Sequence, residues 1–439
     1  MNAFPYQNES SAGFMKPLSS ISSRTGRSTR RVAFVGTFPP TQCGLATFTR
    51  SMVESIAVVD ERIEPLVIRL VQPGDIATPS DVAAVDWNID VPDSVDAVLA
   101  VIADREVAAL VVQHEYGIFG GPDGSDVIDF LERCKLPTLV VLHTVLANPA
   151  PEQHRILRRV VELADVTVVQ SEVARRRLSR FEIAPATVEV VPHGAWMAPA
   201  KHPRPRNLVP RVLTWGLLGP GKGLEYAIAA MALLDREVHA WSYVIAGETH
   251  PKVLAEQGQA YRRSLESQAQ RLGVADKVIF DPTYRDTRAL ADLVHSADVV
   301  LLPYDSVDQV TSGVLVEALA AGVPVVATAF PHAVEALATG AGRLVGHGDV
   351  EAMARAVQVA LTHGGVAVAM RAEAERVGRS LHWSTVAKRY VGLIDRAINH
   401  RRTPGARVEL EGYRSRGSSA ASKVPTWTMP APTQRSAAP

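Results

Sequence analysis

"DVVLLPYDSVDQVTSGVLVEALAAGVPVVAT", residues 298–328, holds an apolar strand, a polar turn-rich loop, an apolar helix and a second strand in one line. "DVVLLPY" and "PVVAT" are β-branched and almost continuously apolar, as expected of strands covered on both faces. The helix "VLVEALAA" is closed by Gly322 with Pro324 just beyond, and Thr311 or Ser312 is a suitable N-cap. Strand, helix, strand in this order is one βαβ unit of a parallel sheet.

The same rhythm extends outward from it. The first half carries "VAFVGTF" (32–38), "EPLVIRLV" (64–71), "ALVVQHEY" (109–116), "TLVVLHTV" (138–145), "VTVVQS" (166–171) and "VEVVPHG" (188–194), with helical stretches such as "LATFTRSMVESIAVV" between. "MAPAKHPRPRNLVP" (197–210) breaks the pattern with four prolines and reads as a linker. The pattern restarts at "RVLTWG" (211–216), "WSYVIAGE" (241–248) and "KVIFDPT" (277–283). The expected fold is α/β, two Rossmann-like doubly wound domains at 31–199 and 206–382 facing each other across a cleft. Ligands in such sheets sit beyond the carboxyl ends of the strands, so the cleft is the expected site. Residues 1–30 and 403–439, rich in Ser, Pro, Gly and Ala, are expected to be poorly ordered tails.

The chain has 439 residues, 47% hydrophobic and 21% charged, and its 46 Lys and Arg balance 46 Asp and Glu. That balance gives no global electrostatic case for nucleic-acid binding. Two cysteines, Cys43 and Cys134, cannot build a disulfide framework, which points to a reducing cytoplasm. No secretory signal and no transmembrane run is apparent. The basic run "SEVARRRLSRF" (171–181) would suit weak peripheral contact with the inner face of a membrane, although such runs are more often solvated helix faces. Oligomeric state is not legible.

Three stretches carry chemistry. "GTFPPTQCGLATFTR" (36–50) puts Gly44 at a helix start, a ready anion site. "TWGLLGPGKGLEYAIAA" (214–230) spells most of a P-loop through Gly216, Gly221 and Lys222, but Gly223 stands where a magnesium-binding Ser or Thr is needed. Lys222 remains well placed to neutralise phosphate. In the opening stretch, Glu317 lies one turn into its helix between apolar neighbours, where a carboxylate could accept two ribose hydroxyls. His114, His143 and His193 stand at strand ends. No HExxH, Cys/His cluster or GxSxG elbow is present, so neither a metal nor a serine nucleophile is implied.

Together these residues resemble the retaining glycosyltransferases of the GT-B fold, family-four (glycosyl transferases group 1) type, over residues 31–400. The resemblance rests on "FPPTQCGLATFTRSM", "VVPHG", "GLLGPGKGLEYAIAAMALL", "YVIAGE", "ADVVLLPY", "SGVLVEALAAGVPVVAT" and "HWSTVAKRYVGLIDRAI". It implies a hexosyltransferase, of mannose or glucose, using a nucleoside-diphosphate sugar and needing no metal or other cofactor. Lys222 would meet the diphosphate together with the Gly44 loop and the N–H groups around Ser312, Gly313 and Val314. Glu317 would hold the ribose, while His143 and Gln309 would face the transferred sugar. Gln42, His114 and Glu115 would lie on the side of a sugar or glycolipid acceptor. A C-terminal helix, 383–400, would cross back to the first domain. Two departures stand out: Gln309 replaces the first of two glutamates, and Leu217 replaces a phosphate-binding arginine. A sugar phosphorylase or epimerase of the same fold, or a non-catalytic binding homologue, are the alternatives.

Overall fold

In β1 (Arg30–Gly36), Ala33 and Val35 enter one hydrophobic core and Val32 and Phe34 another, as the two-residue period of a strand requires. All four are fully buried, which is why the run is apolar without alternation. The structure, a computed structural model, describes residues 29–41, 43–72, 75, 84–91, 94–181, 188–197, 207–283 and 285–402. Residues 1–28 and 403–439 of the expected tails, and 198–206 of the linker, lie outside these.

The strands after β1 are β2 (Ile63–Val71), β3 (Ala84–Asn88), β4 (Val107–His114), β5 (Thr138–Leu142), β6 (Val166–Val169), β7 (Val188–Val190), β8 (Arg211–Trp215), β9 (Ser242–Ala246), β10 (Val278–Asp281), β11 (Val299–Leu302), β12 (Val325–Thr328) and β13 (Gly342–Val345). They form two sheets, ordered β3-β2-β1-β4-β5-β6-β7 and β10-β9-β8-β11-β12-β13, and every pairing is parallel. The edge strands β3 and β13 are absent from the sequence reading. In both sheets the order reverses beside the first strand, at β1/β4 and at β8/β11, so each has a switch-point crevice where a ligand can lie.

The helices are α1 (Gly44–Val59), α2 (Ser94–Asp104), α3 (Asp126–Arg133), α4 (Pro151–Leu163), α5 (Glu172–Arg180), α6 (Leu224–Leu234), α7 (Pro251–Gln257), α8 (Ala260–Arg271), α9 (Thr287–His295), α10 (Gly313–Ala320), α11 (Pro331–Ala336), α12 (Val350–Thr362), α13 (Gly364–Gly378) and α14 (Trp383–Arg402). Crossing back as expected, α14 buries Trp383, Val386, Tyr390 and Ile394 in one core with Phe48, Met52 and Ile56 of α1. The crossing is fixed at its root, where Trp383 N–H donates to the Ala195 carbonyl and Ala195 N–H to that of Leu381. Gly194 lets the chain pass, since a Cβ there would stand 2.3 Å from the Trp383 ring. Among the described residues no helix is long and apolar enough to cross a membrane.

Candidate active site in the interdomain cleft

On the second domain, β8 ends in a loop that must hug its neighbours. Gly223 has φ +64°, and a Cβ on it would stand 1.9 Å from the Pro303 carbonyl oxygen. Glycine is therefore what the backbone requires where a P-loop would carry a hydroxyl. Asp305 N–H donates to the Gly221 carbonyl at 3.0 Å, which joins this loop to the one leaving β11. Between them Lys222 Nζ lies 4.5 Å from the centre of the Tyr304 ring. Burial draws its pKa below the usual lysine value. Among the described residues no carboxylate pairs with Lys222, so its charge is available to an incoming anion.

The start of α10 is held from two sides. Ser312 Oγ accepts the Leu315 N–H at 3.3 Å, a regular N-cap, and Ser312 N–H donates to His332 Nδ1 at 2.9 Å. The expectation that the Ser312 N–H faces phosphate is thereby corrected: Ser312 shapes the helix start, leaving Gly313 and Val314 as its first-turn donors. Gln309 Nε2 donates to the Thr311 carbonyl at 3.0 Å, folding the amide onto its own loop. The Glu317 carboxylate accepts the N–H groups of Trp196 at 3.2 Å and Met197 at 3.0 Å, which ties it to the chain leaving the first domain. Burial raises its pKa to about 7, with those two N–H groups pulling the other way. Each oxygen keeps a lone pair that a ribose hydroxyl could meet.

On the first domain, Cys43 caps α1 by accepting the Ala46 N–H at 3.3 Å. A Cβ on Gly44 would meet no atom within 4 Å, so open space, not packing, surrounds this glycine. One turn later Phe48 meets His143 and His193 edge-on, at 4.7 and 4.8 Å between ring centres. His143 Nε2 stands 2.8 Å from Gln113 Oε1 and its Nδ1 is 3.4 Å from Gln170 Nε2, so both ring nitrogens are engaged within the first domain. Burial pushes its pKa down to about 3, and the ring is neutral. His193 Nδ1 lies 2.7 Å from the Gly194 carbonyl, and its Nε2 would be 3.2 Å from a Cβ on Gly313. The two domains meet at that point.

The acceptor side differs more from expectation. His114 is 1% exposed, with its ring against Tyr116 and Phe119 and both nitrogens unpartnered. The side chain at the end of β4 turns into the core, out of reach of an acceptor. Glu115 is half-buried, accepts the Thr144 hydroxyl and the Tyr116 N–H, and has its pKa raised by burial. Gln42 lies outside the described residues.

The basic run is also rearranged. Arg175 pairs with Glu172 at 2.7 Å, and Arg177 is 8% exposed, leaving Arg176 and Arg180 as the exposed members. Tyr304, His332, Arg177 and Glu335 all shape the cleft and were not singled out for it from the sequence. Their partners lie far along the chain, so no local pattern marks them.

This cleft, with two facing parallel sheets and a glycine-rich loop carrying Lys222 in the second, has the architecture of GT-B glycosyltransferases, and residues 201–377 match the family described as Glycosyl transferases group 1. A relative, the D-inositol 3-phosphate glycosyltransferase of Streptomyces griseus subsp. griseus, is 31% identical over 270 residues, 59% of this chain and 55% of that protein. The match thus spans about half of that relative's length. Among solved structures, sucrose-phosphate synthase from Thermosynechococcus elongatus is similar with a TM-score of 0.68 at 20% identity, covering 84% of this chain and 99% of that one. Anabaena HepE, solved in complex with UDP-glucose, is similar with a TM-score of 0.64 at 16% identity, covering 83% and 99%. At these identities the structural likeness concerns the fold.

Proposed function

We propose that the protein is a cytoplasmic, retaining hexosyltransferase that moves glucose or mannose from a nucleoside-diphosphate sugar to a sugar or glycolipid acceptor. The observation that carries this reading is Lys222, a half-buried ammonium with no carboxylate partner among the described residues, set over Tyr304 where the two switch-point loops join. A diphosphate fits that position, between the lysine and the first-turn N–H groups of α10. HepE, whose structure holds UDP-glucose, supports the donor class, and the inositol-phosphate glycosyltransferase supports sugar transfer.

In the proposed reaction the bond from the anomeric carbon to the β-phosphate oxygen breaks while the acceptor oxygen bonds to the same face. The acceptor's proton passes to the departing diphosphate. Lys222 and the α10 dipole stabilise the charge that develops there, without a bound metal being required. Glu317 is proposed to hold the ribose through its remaining lone pairs, and Gln309 to face the sugar.

A thermal-shift screen against UDP, GDP, ADP, UDP-glucose and GDP-mannose tests the reading. A ligand present at 100 times its Kd stabilises the native state by about 2.7 kcal/mol. One nucleoside class should raise the melting temperature. No shift with any of them would contradict the reading.

A further inference from the structure

Helix α5 belongs to the first domain, yet the second domain holds its start and the Arg177 side chain of its last turn. At its start, Glu335 of α11 accepts the Glu172 N–H at 2.9 Å on one carboxylate oxygen and the Val173 N–H at 3.0 Å on the other. First-turn donors are thus met by an anion from across the boundary. Further along the helix Arg177 enters the domain junction. Its Nη1 donates to the Val145 carbonyl at 2.7 Å and to the Asp308 carbonyl at 3.0 Å, and Nη2 is 3.3 Å from Asp308 Oδ1.

Those two carbonyls matter because of their neighbours. Val145 follows His143 by two residues, and Asp308 immediately precedes Gln309. One planar guanidinium therefore spans the end of β5 and the loop between β11 and α10. The same loop is held from behind by α11, whose His332 N–H donates to the Gln309 carbonyl at 3.2 Å. Val310, 3% exposed, packs into the core of the first domain. Burying a guanidinium is expensive unless its donors are satisfied, so the arrangement fixes geometry more than it adds stability.

We propose that Arg177 is a positioning residue that sets the separation between the His143 and Gln309 walls of the sugar pocket. The word "sugar" rests on the function proposed above, whereas the hold on the loop does not. The test compares wild type, Arg177→Lys, Arg177→Met and Glu335→Ala. Three quantities are read: UDP or GDP released from UDP-glucose or GDP-mannose, calorimetric Kd for UDP and GDP, and hydrogen exchange in residues 305–312.

Arg177→Met should lower kcat about 10- to 100-fold, as pocket misplacement does. Its nucleoside-diphosphate Kd should stay within about threefold of wild type, and exchange in 305–312 should quicken. Arg177→Lys, which keeps the charge without the fork, should fall between. Glu335→Ala should move the same way by a smaller factor. Wild-type kcat in Arg177→Met, or affinity lost in step with kcat, would overturn the proposal. If that variant does not fold, unchanged kcat in both Arg177→Lys and Glu335→Ala would overturn it. If wild type binds neither nucleoside diphosphate nor either donor, the transferase reading fails by itself. Unaltered exchange in 305–312 of the variants would then overturn the positioning role separately.

Discussion

Gln309 is held by its backbone before its side chain meets any ligand. Its carbonyl accepts from His332 and its amide donates to Thr311. A neutral amide there can hydrogen-bond sugar hydroxyls but adds no negative charge opposite a developing oxocarbenium centre. If it faces the transferred sugar, Gln309→Ala should lower kcat about 10- to 100-fold, one or two hydrogen bonds' worth, with nucleoside-diphosphate affinity preserved. Steady-state release of diphosphate, set beside calorimetry, checks this, and unchanged turnover would remove Gln309 from the site. Glu317, by contrast, is already partnered through Trp196 and Met197, so its replacement would disturb the interdomain chain as well as any ribose contact.

Among the elements, strands buried on both faces were legible because their apolar runs leave no other reading. Of the four edge strands, β7 and β10 were legible and β3 and β13 were not. In β13 both Arg343 and Leu344 are exposed, and β3 carries Asp86, both of whose carboxylate oxygens pair with Arg69, so neither shows a continuous apolar run. The start of α10 was likewise legible from capping chemistry at Thr311 or Ser312, and that of α1 from Gly44, whereas its cap, Cys43, was not. What each start binds was not, because His332 lies 20 residues beyond Ser312 and Arg177 reaches across 131 residues to Asp308. Helix α11, only six residues long, secures both the Gln309 loop and α5, and nothing in "PHAVEA" announces that task. Gly223 in place of Ser or Thr already set the near P-loop aside in the sequence, and its φ and close approach to Pro303 supply the physical reason for the glycine.

Across the whole molecule, His114, His143, His193 and His332 are kept neutral by burial, with pKa values pushed down to about 4, 3, 4 and 4. Each would titrate near 6.5 in the unfolded chain. From about pH 6.5 down to about 4 the unfolded state therefore binds more protons, and stability is lost on acidification by about 1.4 kcal/mol per pH unit for each such proton. Glu317 acts in the opposite direction: its raised pKa, about 7, makes the native state lose stability as pH rises from the ordinary glutamate value toward 7. Glu115, also raised by burial, acts with Glu317, while His250 and His382, lowered by burial, act with the other histidines, which therefore dominate. Urea unfolding at about pH 7, 6 and 5 should show a falling midpoint with little change in m. A midpoint flat across that range would contradict the neutral burial of these rings.

The central claim is that Lys222 marks the seat of a nucleoside diphosphate. Calorimetric titration of wild type and Lys222→Ala with UDP and GDP tests it most directly. A charged hydrogen bond is worth about 1.5–3 kcal/mol, so the variant should bind the preferred diphosphate about 10- to 100-fold more weakly while melting at the wild-type temperature. Equal affinity in the two proteins would place the phosphate away from Lys222 and contradict the claim.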